Sequence, residues 1–167
     1  MIFNLFRKSG APEAAVEAYR SIVAQSRQPK FYADWGVPDT VTGRFDMVSL
    51  HMILAMRRLK ADAAAGAFAQ ALVDVFFRDM DGSLRELGVT DLGVPNKVKT
   101  MGNVFYGLLG TLSAALEAGD AAAVEAVLVK NVYGKPDPGA AELAAYLLAE
   151  TARMAAQPVS VITGAAA

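Results

Sequence analysis

Cysteine is absent from this chain and histidine occurs once, as His51. Disulfides, thiolate metal sites and cysteine nucleophiles are therefore excluded, and an imidazole-rich metal centre has too few ligands. Charge of one sign is also lacking. The net charge is −1 over 167 residues, so no global field draws in DNA, RNA or an anionic membrane. No window approaches about 18 uninterrupted apolar residues, so no membrane span is expected. The start, MIFNLFRKSGAPEAA, is too short in its apolar part for a secretory signal and lacks the bias of a transit peptide. Strand-like alternation does not recur, no repeat divides the chain, and no low-complexity linker separates domains.

What is present is 54% hydrophobic and only 20% charged, and rich in alanine, the composition of a compact helical domain. Helical spacing begins at Pro12 with Ala15, Tyr19, Ile22 and Val23 and runs to about Gln28, before Pro29. KFYADWGVPDT reads as an aromatic loop that pins itself to the core, with Asp39 or Thr40 capping the next helix. Further helices are expected over about 43–60, 64–87, 95–117 and 120–132, with a last one after KPDPG. The tail VSVITGAAA reads as a frayed end. The fold class is all-α, six or seven helices about one core. Its organisation is an N-terminal segment at 1–11, a helical core at 12–134, and a hinge, helix and tail at 135–167. Gly102, Gly107 and Gly110 each cost the 95–117 helix about 1 kcal/mol, which suggests close approach of another helix backbone, with a kink as the alternative. Phe3 and Phe6 are expected to pack the N-terminal segment onto the body; lying on a membrane surface is the alternative.

The stretch GRFDMVSLHMILAMRRLK, 43–60, carries two apolar sectors. Phe45, Val48, Met52, Met56 and Leu59 form one, and Met47, Leu50 and Leu54 the other, so the helix is buried on two sides. Arg44, His51 and Arg58 recur every seven residues and run along the seam. Asp46 and Arg57 share a further edge. On the next helix, Asp74, Arg78, Asp81 and Arg85 form an exposed ladder of alternating sign. Asp79 instead points into the apolar face, with Glu86 two turns on. A carboxylate there needs a partner, and Arg44 and Arg58 are the candidates.

Catalysis needs more than His51 beside an acid such as Asp79. The serines Ser21, Ser26, Ser49 and Ser83 sit in no nucleophile elbow, and GxSxG, GxGxxG, GxxxxGK[ST] and HExxH are all missing. A small hydrolase using His51 is thus the third-ranked reading, behind a binding protein.

Three segments in order, IVAQSRQPKFYADWGVPDTVTGRFDMVSLHMILAMRRL, VDVFFRDMDGSLRELGVTDLGVPNKVKTMGNVFYG and KNVYG, resemble the ubiquinol–cytochrome c chaperone family. These are assembly factors of the cytochrome bc1 complex, and the resemblance covers roughly 16–134. It implies a helical, non-enzymatic protein without cofactor, whose partner is cytochrome b or an early bc1 intermediate. A small partner protein and the ribosome are further partners known in the family. The signature positions carried over are Arg44, Phe45, Asp46 and His51, then Asp79, Asp81, Arg85 and Glu86, then Lys97 and Lys99, then Asn131 and Tyr133. Leu108 and Lys130 stand where the family usually has arginine, which weakens any contact needing a guanidinium fork. The missing targeting segment suggests a bacterial, cytoplasmic member, peripheral to the inner membrane at most. A general helical adaptor for another client is the alternative.

That reading makes physical sense. Apolar grooves between helices receive apolar helix faces, and Met47, Met52, Met56, Met80 and Met101 offer an adaptable lining, though at least three of them are expected in the core. Lys97 and Lys99 make a small basic patch suited to lipid head groups or ribosomal RNA.

Overall fold

The computed structural model describes residues 12–164. The helices, in order, are α1 Glu13–Ser26, α2 Pro29–Ala33, α3 Val41–Lys60, α4 Gly66–Glu86, α5 Val94–Ala118, α6 Ala121–Leu128, α7 Gly139–Ala155 and α8 Ser160–Thr163. Two of these, α2 and α8, are barely one turn long. Six longer helices therefore carry the bundle, and no strand occurs among the described residues. The all-α expectation holds. The expectation for Phe3 and Phe6 lies outside the described residues.

Local chemistry sets the boundaries. Thr40 Oγ1 accepts from the Gly43 amide at 3.1 Å and Asp120 Oδ1 from the Ala123 amide at 3.1 Å, each satisfying a donor left open at a helix start. Pro95 sits in the first turn of α5, and Gly119, at φ +64°, closes that helix. After α6 the chain widens into a π turn, Val129–Tyr133, which Gly134 ends in the left-handed region.

α3 is the central element, in contact with α1, α4, α5 and α7. Met47, Leu50, Met52, Ile53 and Leu54 are all buried, so it is enclosed on both sides, as its two apolar sectors require. Phe76 of α4 gathers Phe105 at 5.0 Å and Phe45, stacked, at 5.9 Å. Each such side chain removed from water contributes about 1.5–3 kcal/mol.

The KFYADW segment is partly helical, forming α2, and it is pinned as expected. Phe31 is fully buried and meets the edge of Tyr146 at 5.0 Å. The Lys30 ammonium lies 5.0 Å from the Trp35 ring and 5.2 Å from that of Tyr146. The Tyr133 hydroxyl donates to the Trp35 carbonyl at 2.8 Å. A Cβ at Gly139 would fall 1.8 Å from that same carbonyl oxygen, so only glycine lets α7 begin against this segment.

Two expectations need correction. The α5 glycines do not admit a helix backbone: Gly102 faces the Phe77 ring, and a Cβ on Gly107 or Gly110 would meet open space. The tail is not simply frayed either. Val159 and Ile162 pack against the core, and α8 lies along α1.

Candidate functional site

Between α1, α3, α4 and α5 lies a groove of about 180 Å³. Its floor is made by Val48, Phe76, Met80 and Leu84, all buried, with half-buried Phe45 and Met101. Val41 and Leu87, 61% and 58% exposed, also line it. Large side chains this exposed, contiguous with a buried apolar floor, mark a surface suited to another apolar face. Met80 and Met101 add flexible, polarisable side chains that repack around different shapes.

One side of the groove is polar. Asp79 projects from α4, and the Tyr19 hydroxyl of α1 donates to its Oδ2 at 2.6 Å. Burial raises the Asp79 carboxyl above the usual carboxylate range, while the Tyr19 hydrogen bond and the Arg27 charge pull it back. The Tyr19 phenol is pushed far above its ordinary value, first by burial and then by Asp79. Neither expected arginine pairs with Asp79. Arg44 lines the groove but its Nε donates to Asp39 Oδ1 at 2.8 Å, out in solvent. Arg58 lies elsewhere, donating to the Met154 and Gln157 carbonyls at 2.9 and 2.7 Å, where it caps the end of α7. Sequence periodicity assigned Asp79 to the apolar face correctly, but it could not tell that a tyrosine from α1 would reach it first.

Of the signature positions, the groove brings together Arg44, Phe45 and Asp79. The seam line of Arg44, His51 and Arg58 splits into one exposed, one buried and one half-buried residue. Asp81 and Asp91 both pair with Arg85 on the surface, while Asp74 accepts from Gln70. Glu86, Lys97 and Lys99 are exposed. Asn131 donates back to the Val127 carbonyl at 2.7 Å, and Tyr133 holds Trp35 as described. Leu108 is a core residue and Lys130 an exposed one. Met47 and Met52 are core residues and Met56 packs half-buried against the core, leaving Met80 and Met101 as the groove methionines. Asp46 is half-buried, and burial alone raises its carboxyl to about 7.

His51 faces a second cavity of about 280 Å³ between α1, α3, α7 and α8. Its Nδ1 lies 2.8 Å from the Met47 carbonyl and its Nε2 2.9 Å from the Tyr146 hydroxyl. A carbonyl only accepts, so Nδ1 carries the proton and Nε2 accepts from Tyr146. Gln25 donates to both Tyr146 and Glu150 at 3.2 Å. Burial holds the imidazole below its ordinary pKa. The pairing of His51 with Asp79 does not form: each is engaged by a different tyrosine. With both ring nitrogens committed and no serine among its partners, this histidine is a joint between α3 and α7.

Fold and site together define an all-helical bundle with an apolar-floored groove between α1, α3, α4 and α5. The chain belongs to the ubiquinol–cytochrome c chaperone family, whose model matches residues 33–166. It is 43% identical to a solved structure, the Cbp3 homolog from Brucella abortus, with a TM-score of 0.83 over 98% of this chain and 94% of that one. It is also 23% identical over 133 residues to ubiquinol-cytochrome-c reductase complex assembly factor 1 of Xenopus laevis, covering 78% of this chain and 66% of that protein's length. Its functional class is thus that of an assembly chaperone. Among the described residues, no helix is long and apolar enough to cross a membrane.

Proposed function

We propose that this protein holds cytochrome b, or an early intermediate containing it, during assembly of the cytochrome bc1 complex. The observation that carries this reading is the groove: a buried apolar floor, two methionines, and the exposed Val41 and Leu87. A membrane protein awaiting cofactors or partners exposes apolar helix faces, and a helix-walled groove is the general receptor for them. The work is done beside the membrane, where the client emerges.

The test is complementation. In cells lacking the gene, spectroscopically assembled bc1 complex is expected to fall while other respiratory complexes persist. The unaltered gene should restore it, and variants carrying Val41→Asp and Leu87→Asp should not, although both positions are exposed and tolerate charge in the fold. Full rescue by the double variant, or unchanged complex on deletion, would defeat the proposal. Crosslinking from position 87 to nascent cytochrome b identifies the client directly.

A further inference from the structure

The groove is small. Its volume of about 180 Å³ falls below the roughly 300–1,000 Å³ of sites that enclose a drug-sized ligand, so a few large apolar side chains would fill it. The chain carries such a set close by. Residues 1–11 lie outside the described residues, and Ile2, Phe3, Leu5 and Phe6 fall together near their start. Side chains of this kind gain free energy from any apolar cover within reach. The groove is within reach. The segment joins α1 at Pro12, and Tyr19, in the groove wall, lies about 10 Å further along the helix at about 1.5 Å per residue. Arg27, where α1 leaves the groove, is about 12 Å beyond that. Gly10 and Pro12 are residues that favour a chain reversal. From a reversal at Gly10, residues 2–6 extend up to about 13–26 Å at about 3.3 Å per residue, which matches the groove's span along α1.

Charge sets the direction. Arg7 and Lys8 follow the apolar set, and Arg27 and Arg44 line the groove, which disfavours a further cation inside it. Glu13, exposed in the first turn of α1, forms no ion pair among the described residues. The basic pair is therefore best placed beside the start of α1, with the apolar residues running on toward the groove. Resting on the reading of the groove as the client's seat, we infer that residues 2–6 of this chain occupy the groove when no client is present, and that the client displaces them. A short tether gives the segment an effective concentration of order mM, so a weak contact suffices to keep the groove mostly filled. The client's apparent affinity is then reduced by the fraction of chains whose groove is open. Val41 and Leu87, otherwise exposed, are thereby shielded from indiscriminate apolar contact.

The chain has no cysteine, so Leu87→Cys takes a single nitroxide label at the groove rim. In the full chain that label is expected to broaden the NMR signals of residues 2–6. A synthetic amphipathic helix of leucine and glutamine, standing in for the client, should relieve the broadening. Deleting residues 2–8 should tighten binding of that helix about tenfold by fluorescence anisotropy, as for a groove open in about one chain in ten. Phe3→Asp with Phe6→Asp should do the same at full length, and serves if the shortened chain does not fold. Signals left sharp by the label overturn the inference, and so does unchanged or weaker helix binding by these variants; either result leaves the groove reading standing. Signals of residues 2–6 that respond only to phosphatidylglycerol vesicles would assign the segment to a membrane surface. Broadening only from a label on another copy would assign the groove to a second molecule of this chain. Both outcomes overturn the inference. If the helix binds none of these chains and Val41→Asp with Leu87→Asp still restores the bc1 complex, the groove reading itself falls.

Discussion

Tyr19 of α1 and Asp79 of α4, sixty residues apart, share a 2.6 Å hydrogen bond at the edge of the groove. The bond ties two helices together and orients the carboxylate. Tyr19→Phe removes the donor and leaves a desolvated charge, so it should cost about 1–3 kcal/mol. The double variant Tyr19→Phe with Asp79→Asn should lose less than the two single losses added together. Urea unfolding of the three variants at one pH decides this, and additive losses would show that the bond contributes nothing.

Asp46 gives a second, independent prediction. Its folded pKa is raised to about 7 by burial, so the protonated form is favoured in the native state. Its stabilising contribution is therefore full below about pH 4 and is lost as pH rises through about 7. Asp46→Asn should stabilise the protein above pH 7, by up to about 4 kcal/mol, and change little at pH 4. Thermal melts at the two pH values test the sign; a larger gain in acid would contradict it.

The His51 joint behaves in the opposite sense. Its folded pKa is lowered by burial, so its contribution is complete above about pH 6.5 and is lost as pH falls below that. Tyr146→Phe leaves Nε2 without its donor and should cost about 1–3 kcal/mol at pH 8. With that competing bond gone, protonation of His51 should come at a higher pH. Histidine titration by NMR in the two proteins is the check, and an unshifted titration would argue against the assigned tautomer.

Glycines separate packing from propensity. Gly107 and Gly110 have open space where a Cβ would stand, so alanine at each should stabilise α5 by about 0.5–1 kcal/mol. Alanine at Gly43 would place its Cβ 1.9 Å from the Pro38 carbonyl oxygen, and at Gly139 1.8 Å from that of Trp35. Both should destabilise strongly or prevent folding, as read by expression yield and melting temperature.

Most of the helices were legible before any coordinates, because the signals that define them are local. Apolar residues recurring every three or four positions, a cap at Asp39 or Thr40 and another at Asp120, and Gly134 as a stop all act within a turn or two of chain. Even the double burial of α3 followed from its two apolar sectors. The family, too, was readable from the GVPDTVTGRFD and FFRDMDGSLRELGV runs. The errors arose where a residue's environment comes from distant sequence.

The sequence alone decided that this is an all-α chain, that it has no thiol and a single imidazole, and that Asp79 lies on an apolar-rich face. Those properties depend on composition and on the 3.6-residue period. Only the tertiary structure decided that Tyr19, not Arg44 or Arg58, meets Asp79, that His51 joins α3 to α7, and that Val41 and Leu87 flank one groove. Pairings of that kind depend on the angles and offsets at which helices pack. These are set by the summed fit of many side chains, and no spacing within one helix encodes them.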